Sequence, residues 1–324
     1  MSFTPTDISD AAKRIAPHIT RTSLTRSIPL SERHGADILI KAEHQQRTGS
    51  FKVRGSANVV HELDPAAAQL GVITASSGNH GIGVATAAAS RGVSARIFLP
   101  SNVSRAKLTQ IEHLGGQAIL VDSTDAIDGE IAAKDLAAHE AIPYISPYNN
   151  PLVAAGQGTI GVEILEDAPG PIDAIVVAVG GGGMISGIAT WIKEHSPRTL
   201  IIGASALNDR AMAASIEAGT VVVPDFAPTF SDGTAGAIED DTITFPICQR
   251  LVDVWVDITE RDIASAVTAM VDDHHQLVEG SAGVAIAGAT QFAEENPGSR
   301  IVAVSCGGNV SSAALAEMIQ LTRS

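Results

Sequence analysis

A run of glycines is the feature of this sequence that most clearly suggests ligand chemistry. Gly180, Gly181, Gly182 and Gly183 are consecutive, follow an apolar run and precede Met184. Without Cβ atoms, backbone N–H groups can converge on an anion, and a following helix adds its positive end. This segment predicts a phosphate-binding loop. It does not fit the G-x-G-x-x-G dinucleotide pattern, and close helix–sheet packing is the alternative interpretation.

A second segment places small hydrogen-bonding groups between an apolar run and a helix-like run. Ser76, Ser77, Gly78, Asn79 and His80 are consecutive. Backbone N–H groups and short polar side chains at the start of a helix suit a carboxylate ligand. Taken alone, the segment also fits an ordinary capped turn.

A lysine and a cysteine occupy two further glycine-containing segments. Lys52 lies between the apolar Phe51 and Val53, and Cys306 ends an apolar run before two glycines. A lysine in an apolar pocket has a lowered pKa and can form a Schiff base. Each residue also has a simpler interpretation when considered alone. Lys52 could be a surface lysine with a buried stem, and Cys306 could be a small buried apolar residue.

These segments point to one cofactor when they are considered together. Pyridoxal phosphate needs a Schiff-base lysine, a phosphate site and a group facing its pyridine nitrogen. The sequence offers all three and carries no nucleotide-binding motif. We therefore predict pyridoxal 5'-phosphate as the cofactor.

The elements that must position these residues alternate between strand-like and helix-like runs, which predicts an α/β protein with mainly parallel sheets covered by helices. In such sheets, ligands bind at the carboxyl ends of the strands, where the glycine-containing segments lie. Residues 104–114 and 260–275 are helix-like, with Thr259 as a cap, whereas residues 224–241 read as irregular. The strand-like runs are 36–43, 71–76, 95–100, 117–122, 172–180, 200–206, 253–258 and 300–306.

The composition of the chain excludes some classes of binding partner. The 324 residues carry a formal charge of −15, which disfavours nucleic acid and anionic membrane surfaces. The two cysteines cannot build a disulfide framework, and residues 1–10 contain no secretory signal pattern. These features predict a cytoplasmic protein that binds neither nucleic acid nor a membrane surface.

Seven motifs in order resemble the fold-type II pyridoxal-phosphate enzymes, in the branch of the serine/threonine dehydratases (threonine ammonia-lyases) and serine racemases. The resemblance covers nearly the whole chain. The motifs are K-A-E at 41–43, T-G-S-F-K-V-R-G at 48–55, S-S-G-N-H at 76–80, A-G-Q-G-T at 155–159, G-G-G-G-M at 180–184, E-G-S-A-G at 279–283 and C-G-G-N-V at 306–310.

The resemblance implies a role for each candidate residue. Lys52 would hold the cofactor as a Schiff base and later remove the Cα proton. The remaining cofactor contacts would come from Phe51, Asn79, Gly180, Gly181, Gly182, Gly183, Met184, Glu279 and Cys306, with Cys306 facing the pyridine nitrogen. The substrate carboxylate would be bound by Ser76, Ser77, Gly78, Asn79 and His80.

The resemblance also implies a two-domain fold like that of the tryptophan synthase β subunit. A large cofactor-binding domain would comprise residues 1–62 and 148–324, and a small domain, residues 63–147, would be inserted into it. The active site would lie in the cleft between them. A homodimer is expected. No metal site is expected, because Ser205 ends the strand where cation-binding relatives carry Glu, and Asp209 is the one carboxylate close by.

The implied activity is dehydration of L-threonine, L-serine or a related 3-hydroxy amino acid to a 2-oxo acid and ammonia. An amino-acid racemase is the alternative, with Ser77 as a second catalytic base opposite Lys52. A dehydratase of a specialised substrate, such as hydroxyaspartate or a hydroxyectoine breakdown product, is another. A non-catalytic amino-acid-binding protein would not need Lys52.

Overall fold

The computed structural model describes residues 3–124 and 126–323 as a chain of alternating strands and helices. The strands in this part are β1 (Leu24–Arg26), β2 (Asp37–Lys41), β3 (Val72–Ala75), β4 (Ala95–Pro100), β5 (Gln117–Val121), β6 (Ala174–Ala178), β7 (Leu200–Ala206), β8 (Val254–Ile258) and β9 (Arg300–Val304). The α-helices are α1 (Pro5–Ile15), α2 (Ile28–His34), α3 (Lys52–Glu62), α4 (Pro65–Leu70), α5 (Asn79–Arg91), α6 (Arg105–His113), α7 (Ala126–Glu140), α8 (Pro151–Asp167), α9 (Gly183–His195), α10 (Ala211–Ala218), α11 (Thr244–Leu251), α12 (Glu260–His274), α13 (Gly280–Glu295) and α14 (Ser312–Arg323).

A six-stranded sheet carries most of the core, in the order β1-β2-β9-β6-β7-β8. Its pairings are parallel except that between β1 and β2. Strand β6, with its sequence A-I-V-V-A, is buried along its whole length. Helices on both faces of a parallel sheet require such continuous apolar strands. The predicted α/β class is therefore confirmed.

The eight predicted strands all form, each shortened by at most two residues at either end. Strand β1 was not predicted, because three residues at the edge of a sheet are too few to show an alternating pattern. Thr259 caps α12 by accepting a hydrogen bond from the Asp262 N–H at 3.2 Å, as predicted. Residues 224–241 contain no helix or strand, which was also predicted.

A second sheet of three parallel strands, β3-β4-β5, is formed by the middle of the chain. Strand β3 ends at Ala75 and leads directly into residues 76–78 and helix α5. All three strands fall within residues 63–147, the region predicted to be a separate domain. The boundaries of that domain remain a prediction.

The order of the larger sheet explains how distant segments meet. Strands β2, β9 and β6 are neighbours and run parallel, so their carboxyl ends open on the same edge. The segments that follow them contain Lys52, Cys306 and the four glycines. This edge is where ligands bind in α/β sheets.

Helix α8 packs between α3 and α9 at very short range. A Cβ atom on Gly156 of α8 would lie 2.7 Å from the backbone oxygen of Arg54. A Cβ atom on Gly187 of α9 would lie 2.2 Å from the oxygen of Ala154. Glycine is therefore required at these helix contacts.

Within the described residues, no helix is long and apolar enough to cross a membrane.

Candidate active site

Lys52 is the first residue of α3 and lies against the end of β9. The N–H of Phe51 donates to the backbone oxygen of Cys306 at 3.0 Å, and Ser50 forms a bridge with Gly307. The Lys52 ammonium donates to the backbone oxygen of Pro147 at 3.2 Å and lies 5.2 Å from the centre of the Phe51 ring. The motif containing the lysine thus meets the motif containing the cysteine, as the topology requires.

The surroundings of Lys52 favour its neutral form. Loss of solvation lowers the pKa of the ammonium to about 8, and the nearby Cys306 and Glu279 only partly oppose this effect. The ordinary value is 10.5. A much larger fraction of Lys52 is therefore unprotonated near neutral pH than for a solvent-exposed lysine. An unprotonated amine is the form that attacks a carbonyl group.

The glycine run forms a tightly enclosed turn between β6 and α9. A Cβ atom on Gly181 would lie 2.3 Å from the Tyr148 ring, and one on Gly180 would lie 2.6 Å from the Thr234 oxygen. Gly182 has φ 80°, the left-handed region that favours glycine, and it caps α9 without any side-chain hydrogen bond. The first N–H groups of α9 are therefore free of a side-chain cap and available to an anion. Met184, which follows, is buried.

Asn79 sits at the centre of a hydrogen-bonded chain at the start of α5. Its side-chain amide donates to both carboxylate oxygens of Glu279, at 2.9 and 3.0 Å. Its oxygen accepts from the Asn309 amide at 2.7 Å, and Asn309 also donates to the Thr48 oxygen at 2.9 Å. The Asn79 side chain is therefore held in one orientation. Burial raises the pKa of Glu279 to about 7, although the bonds from Asn79 oppose this shift.

His80 is buried, and its ring is occupied by a structural contact. Nε2 donates to the backbone oxygen of Ile145 at 2.9 Å, and Nδ1 is buried without a partner among the described residues. Burial and the charge of Lys52 lower the pKa of His80 to about 3, so the ring is neutral. The preceding residues Ser76, Ser77 and Gly78 are partly exposed at the uncapped start of α5. Their N–H groups lie where the sequence predicts a carboxylate ligand.

Cys306 is 2% exposed at the carboxyl end of β9. Burial and the nearby Glu279 raise the pKa of its thiol well above the usual value. The thiol is therefore protonated and uncharged, and it can donate or accept a weak hydrogen bond. A buried, protonated thiol is a poor nucleophile, so Cys306 is suited to a hydrogen-bonding role.

Two groups of residues at this site were missed by reasoning from the sequence. Tyr148 covers the glycine turn, and its hydroxyl accepts from the Glu239 N–H at 2.9 Å. The signal for it was the segment S-P-Y-N-N-P at 146–151, which suggested only a crossing between domains. The second group is a set of buried charges, Lys41, Glu43, Arg54 and Glu163.

The region near Ser205 and Asp209 has few ligands for a cation. The Ser205 hydroxyl and Oδ1 of Asp209 are buried without partners among the described residues. Oδ2 of Asp209 accepts from the Gly236 N–H at 2.8 Å. Across the residues described, no group of three or more His, Cys, Asp or Glu side chains could hold a metal ion.

Comparison with known proteins identifies the family. The model of the pyridoxal-phosphate dependent enzymes matches residues 15–307. This chain belongs to that family. Its cofactor is pyridoxal phosphate, and the uncapped glycine turn and the lysine of lowered pKa suit its phosphate and its aldehyde.

Two solved structures and one curated relative show how far the similarity extends. The L-threonine ammonia-lyase of Thermotoga maritima is 36% identical over 304 residues, which cover 94% of this chain and 75% of the relative. The processed form of threonine deaminase isoform 2 from Solanum lycopersicum superposes with a TM-score of 0.93 at 33% identity, covering 98% of this chain and 93% of that one. Maize serine racemase gives 0.91 at 31% identity, covering 99% and 98%.

Substitution of Gly181 by alanine should weaken binding of pyridoxal phosphate. The new Cβ atom would lie 2.3 Å from the Tyr148 ring, so Tyr148 and the turn would have to move apart. Overpacking of this kind typically costs about 1–3 kcal/mol, and a cost of that size to the cofactor-bound state corresponds to a rise in Kd of roughly 5- to 150-fold. The Kd would be measured by titrating the cofactor-free chain with pyridoxal phosphate and following the absorbance. Gly129→Ala in α7, where a Cβ atom meets nothing within 4 Å, is the control. Equal affinities of the two variants would contradict the packing argument.

Proposed function

We propose that this chain is a pyridoxal-phosphate-dependent ammonia-lyase acting on L-threonine, L-serine or a related 3-hydroxy amino acid. Its products would be a 2-oxo acid and ammonia. The observation that carries the proposal is Lys52, whose pKa is lowered to about 8 and whose ammonium bonds to Pro147, the neighbour of the tyrosine that covers the glycine turn. The similarity to the L-threonine ammonia-lyase over 94% of the chain supports the choice of reaction.

Different residues would contact the phosphate, the aldehyde carbon and the ring of the cofactor. Gly180, Gly181, Gly182, Gly183 and Met184 would bind the phosphate through the start of α9. Lys52 would hold the cofactor covalently, and Phe51, Asn79, Glu279 and Cys306 would surround its ring. When bound, the cofactor withdraws electrons from the substrate Cα–H bond. The network through Glu279 and Asn309 would keep Asn79 correctly oriented.

Lys52 would then act as the base that removes the Cα proton. With a pKa of about 8, its amine can accept a proton near neutral pH and release it again. The N–H groups of Ser76, Ser77, Gly78, Asn79 and His80 would hold the substrate carboxylate. His80 would contribute through its backbone, because its ring is bonded to Ile145.

Cys306 favours elimination over reactions that need a longer-lived negative charge at Cα. An uncharged thiol cannot keep a neighbouring pyridine nitrogen protonated, whereas a carboxylate can. Electron withdrawal is therefore weak, and early departure of the β-hydroxyl is favoured. The raised pKa of Cys306 supports this role.

A panel of 3-hydroxy amino acids tests the proposed reaction and its substrate. L- and D-serine, the L and D, threo and erythro forms of threonine and hydroxyaspartate, and a hydroxyectoine-derived hydroxy amino acid would be assayed for 2-oxo acid and ammonia. We expect release in equal amounts from at least one L isomer. Racemisation without 2-oxo acid release from any member would overturn the lyase assignment. Binding without turnover would indicate the non-catalytic alternative.

A racemase is the second candidate, favoured by the similarity to maize serine racemase. Racemisation needs acid–base groups on both faces of the planar Cα, whereas elimination needs only the face of Lys52. Ser77 is the candidate for the second group.

Replacing Ser77 with alanine should abolish any interconversion of enantiomers while largely sparing elimination. Chiral chromatography of serine, run beside the 2-oxo acid assay, separates the two activities. Ser76→Ala is the control, because the Ser76 hydroxyl accepts from the Gly78 N–H at 3.2 Å and its loss should affect both reactions to the same extent. Racemisation that survives in Ser77→Ala would refute the second-base role.

We also propose that the chain works as a homodimer in the cytoplasm, with residues 63–147 as an inserted domain. The free, buried state of Cys248 and Cys306 supports a reducing compartment. The separate sheet formed by β3, β4 and β5 supports the domain division. Light scattering of the purified holoenzyme measures the oligomeric state.

A further inference from the structure

Four charged side chains form a buried network beneath α3 that the proposed chemistry does not use. Lys41, Arg54 and Glu43 have fully buried side chains, and that of Glu163 is 9% exposed. Two cations and two carboxylates make the network neutral. Removing charges from water costs several kcal/mol per ion, so a network like this persists only with nearly complete pairing.

Arg54 is the centre of this network because it bonds to both carboxylates twice. Its Nε and Nη2 atoms donate to Glu43 at 2.7 and 2.8 Å. Its Nη1 and Nη2 atoms donate to Glu163 at 2.7 and 2.8 Å. Lys41 donates to Glu163 at 2.5 Å and to the Thr22 oxygen at 2.7 Å. Only a planar guanidinium can make two such forked contacts, which a lysine ammonium cannot reproduce.

The network ties the start of α3 to two other elements. Arg54 lies two residues after Lys52, Glu43 follows β2, and Glu163 lies in α8. Two residues correspond to about 200° around an α-helix, so Arg54 and Lys52 project from opposite sides. Anchoring the Arg54 side therefore determines where the Lys52 side points.

No side-chain cap performs this anchoring. Phe51, the capping residue of α3, makes no side-chain hydrogen bond to the helix, and the Ser50 hydroxyl is buried without a partner among the described residues. The backbone around Lys52 is also closely packed. A Cβ atom on Gly83 of α5 would lie 3.2 Å from the carbonyl carbon of Lys52. A small rotation of α3 would therefore displace Lys52 rather than be absorbed locally.

We propose that Arg54, held by Glu43 and Glu163, is a positioning residue that fixes the rotation of α3 and so directs the Lys52 amine toward the cofactor and substrate. This inference rests on the proposed function of Lys52. It assigns Arg54 no contact with substrate or cofactor.

Two variants and one control test this role in the holoenzyme. Arg54→Lys keeps the charge but loses the forked bonds, and Arg54→Met/Glu43→Gln removes one cation and one anion together. The control, Met318→Ala, creates a cavity at a fully buried position in α14 and lowers stability without touching α3. For each protein, the thermal midpoint, kcat, KM and the pH at which the visible absorbance of the lysine-bound cofactor titrates would be measured.

We expect both Arg54 variants to lose at least about tenfold in kcat, because small misplacements of reacting groups cost that much or more. The pH midpoint of the visible band should also move in both variants. Met318→Ala should lower the thermal midpoint while leaving kcat and the pH midpoint unchanged below its unfolding temperature. If the double variant does not fold, Arg54→Lys alone decides.

A purely structural role would be shown by Arg54→Lys that resembles Met318→Ala, with a lower thermal midpoint and an unchanged pH midpoint and kcat. That result would overturn the positioning role and leave the proposed function intact. A wild-type protein that binds pyridoxal phosphate without a visible lysine-bound band would instead refute the proposed function itself.

Discussion

Replacing Lys52 with methionine should abolish activity and also stabilise the cofactor-free chain at neutral pH. Loss of the catalytic amine removes both the covalent attachment and the base, so activity should fall by about 10²- to 10⁴-fold or more. Stability should rise because the folded chain no longer carries a poorly solvated ammonium. The folded pKa of about 8 lies below the ordinary 10.5, so below pH 8 the wild type bears the full penalty, on the order of 3 kcal/mol.

The gain in stability should depend on pH in a defined direction. Between about pH 8 and 10.5 the folded wild-type chain binds fewer protons at Lys52 than the unfolded chain, so wild-type stability rises with pH. The advantage of Lys52→Met should therefore shrink over this range. Urea unfolding of the cofactor-free proteins at pH 7 and pH 10 would measure the difference in free energy of unfolding between Lys52→Met and the wild type.

Lys41→Met is the matched control for Lys52→Met. Both lysines have a lowered pKa caused by burial, but Lys41 is paired with Glu163 at 2.5 Å. Removing Lys41 leaves a buried carboxylate with one cation fewer, which should destabilise the chain. If Lys52→Met proved as destabilising as Lys41→Met, the unfavourable burial of the Lys52 ammonium in the folded chain would be refuted.

Replacing Cys306 with aspartate should strongly impair elimination. The site is 2% exposed and close to Glu279, so a second carboxylate would meet like charge in a poorly solvated place. It could be accommodated by binding a proton or by holding the pyridine nitrogen protonated, and the second outcome prolongs the negative charge at Cα. We expect kcat for 2-oxo acid release to fall about 10²-fold or more. The fraction of cofactor lost as pyridoxamine phosphate should rise.

Cys306→Ser separates this electronic effect from simple damage to the site. A hydroxyl is smaller than a thiol and uncharged, and it can still hydrogen-bond to a ring nitrogen. Most activity should therefore remain. Loss of activity in Cys306→Ser together with parental behaviour of Cys306→Asp would mean that Cys306 does not face the pyridine nitrogen.

Strands and their carboxyl-end segments could be predicted because both signals are local. Runs 172–180 and 200–206 are apolar except for Asp173 and Ser205, and glycines mark the turn after the first of them. The parallel order of β2, β9 and β6 then brings Lys52, Cys306 and the glycine run to one edge. For these residues, motif and topology predict the same location.

Contacts between residues far apart in the chain could not be predicted in this way. Lys41 and Glu163 are 122 positions apart, and nothing in either segment identifies the other as its partner. Tyr148 was equally hidden, because its role depends on the space above Gly181 that only the folded turn defines. Burial lowers the pKa of both Lys41 and Lys52, so burial alone does not distinguish the two lysines. What distinguishes them is the carboxylate of Glu163, which is paired with Lys41.

Borohydride reduction of the holoenzyme, followed by peptide mapping, tests the identity of the cofactor lysine most directly. The pyridoxyl group should be found on Lys52, in the peptide that contains T-G-S-F-K-V, at close to one group per chain. Lys41 should remain unlabelled, because its amine is committed to Glu163 and the Thr22 oxygen. A pyridoxyl group on Lys41, or on any lysine other than Lys52, would contradict the account of the active site.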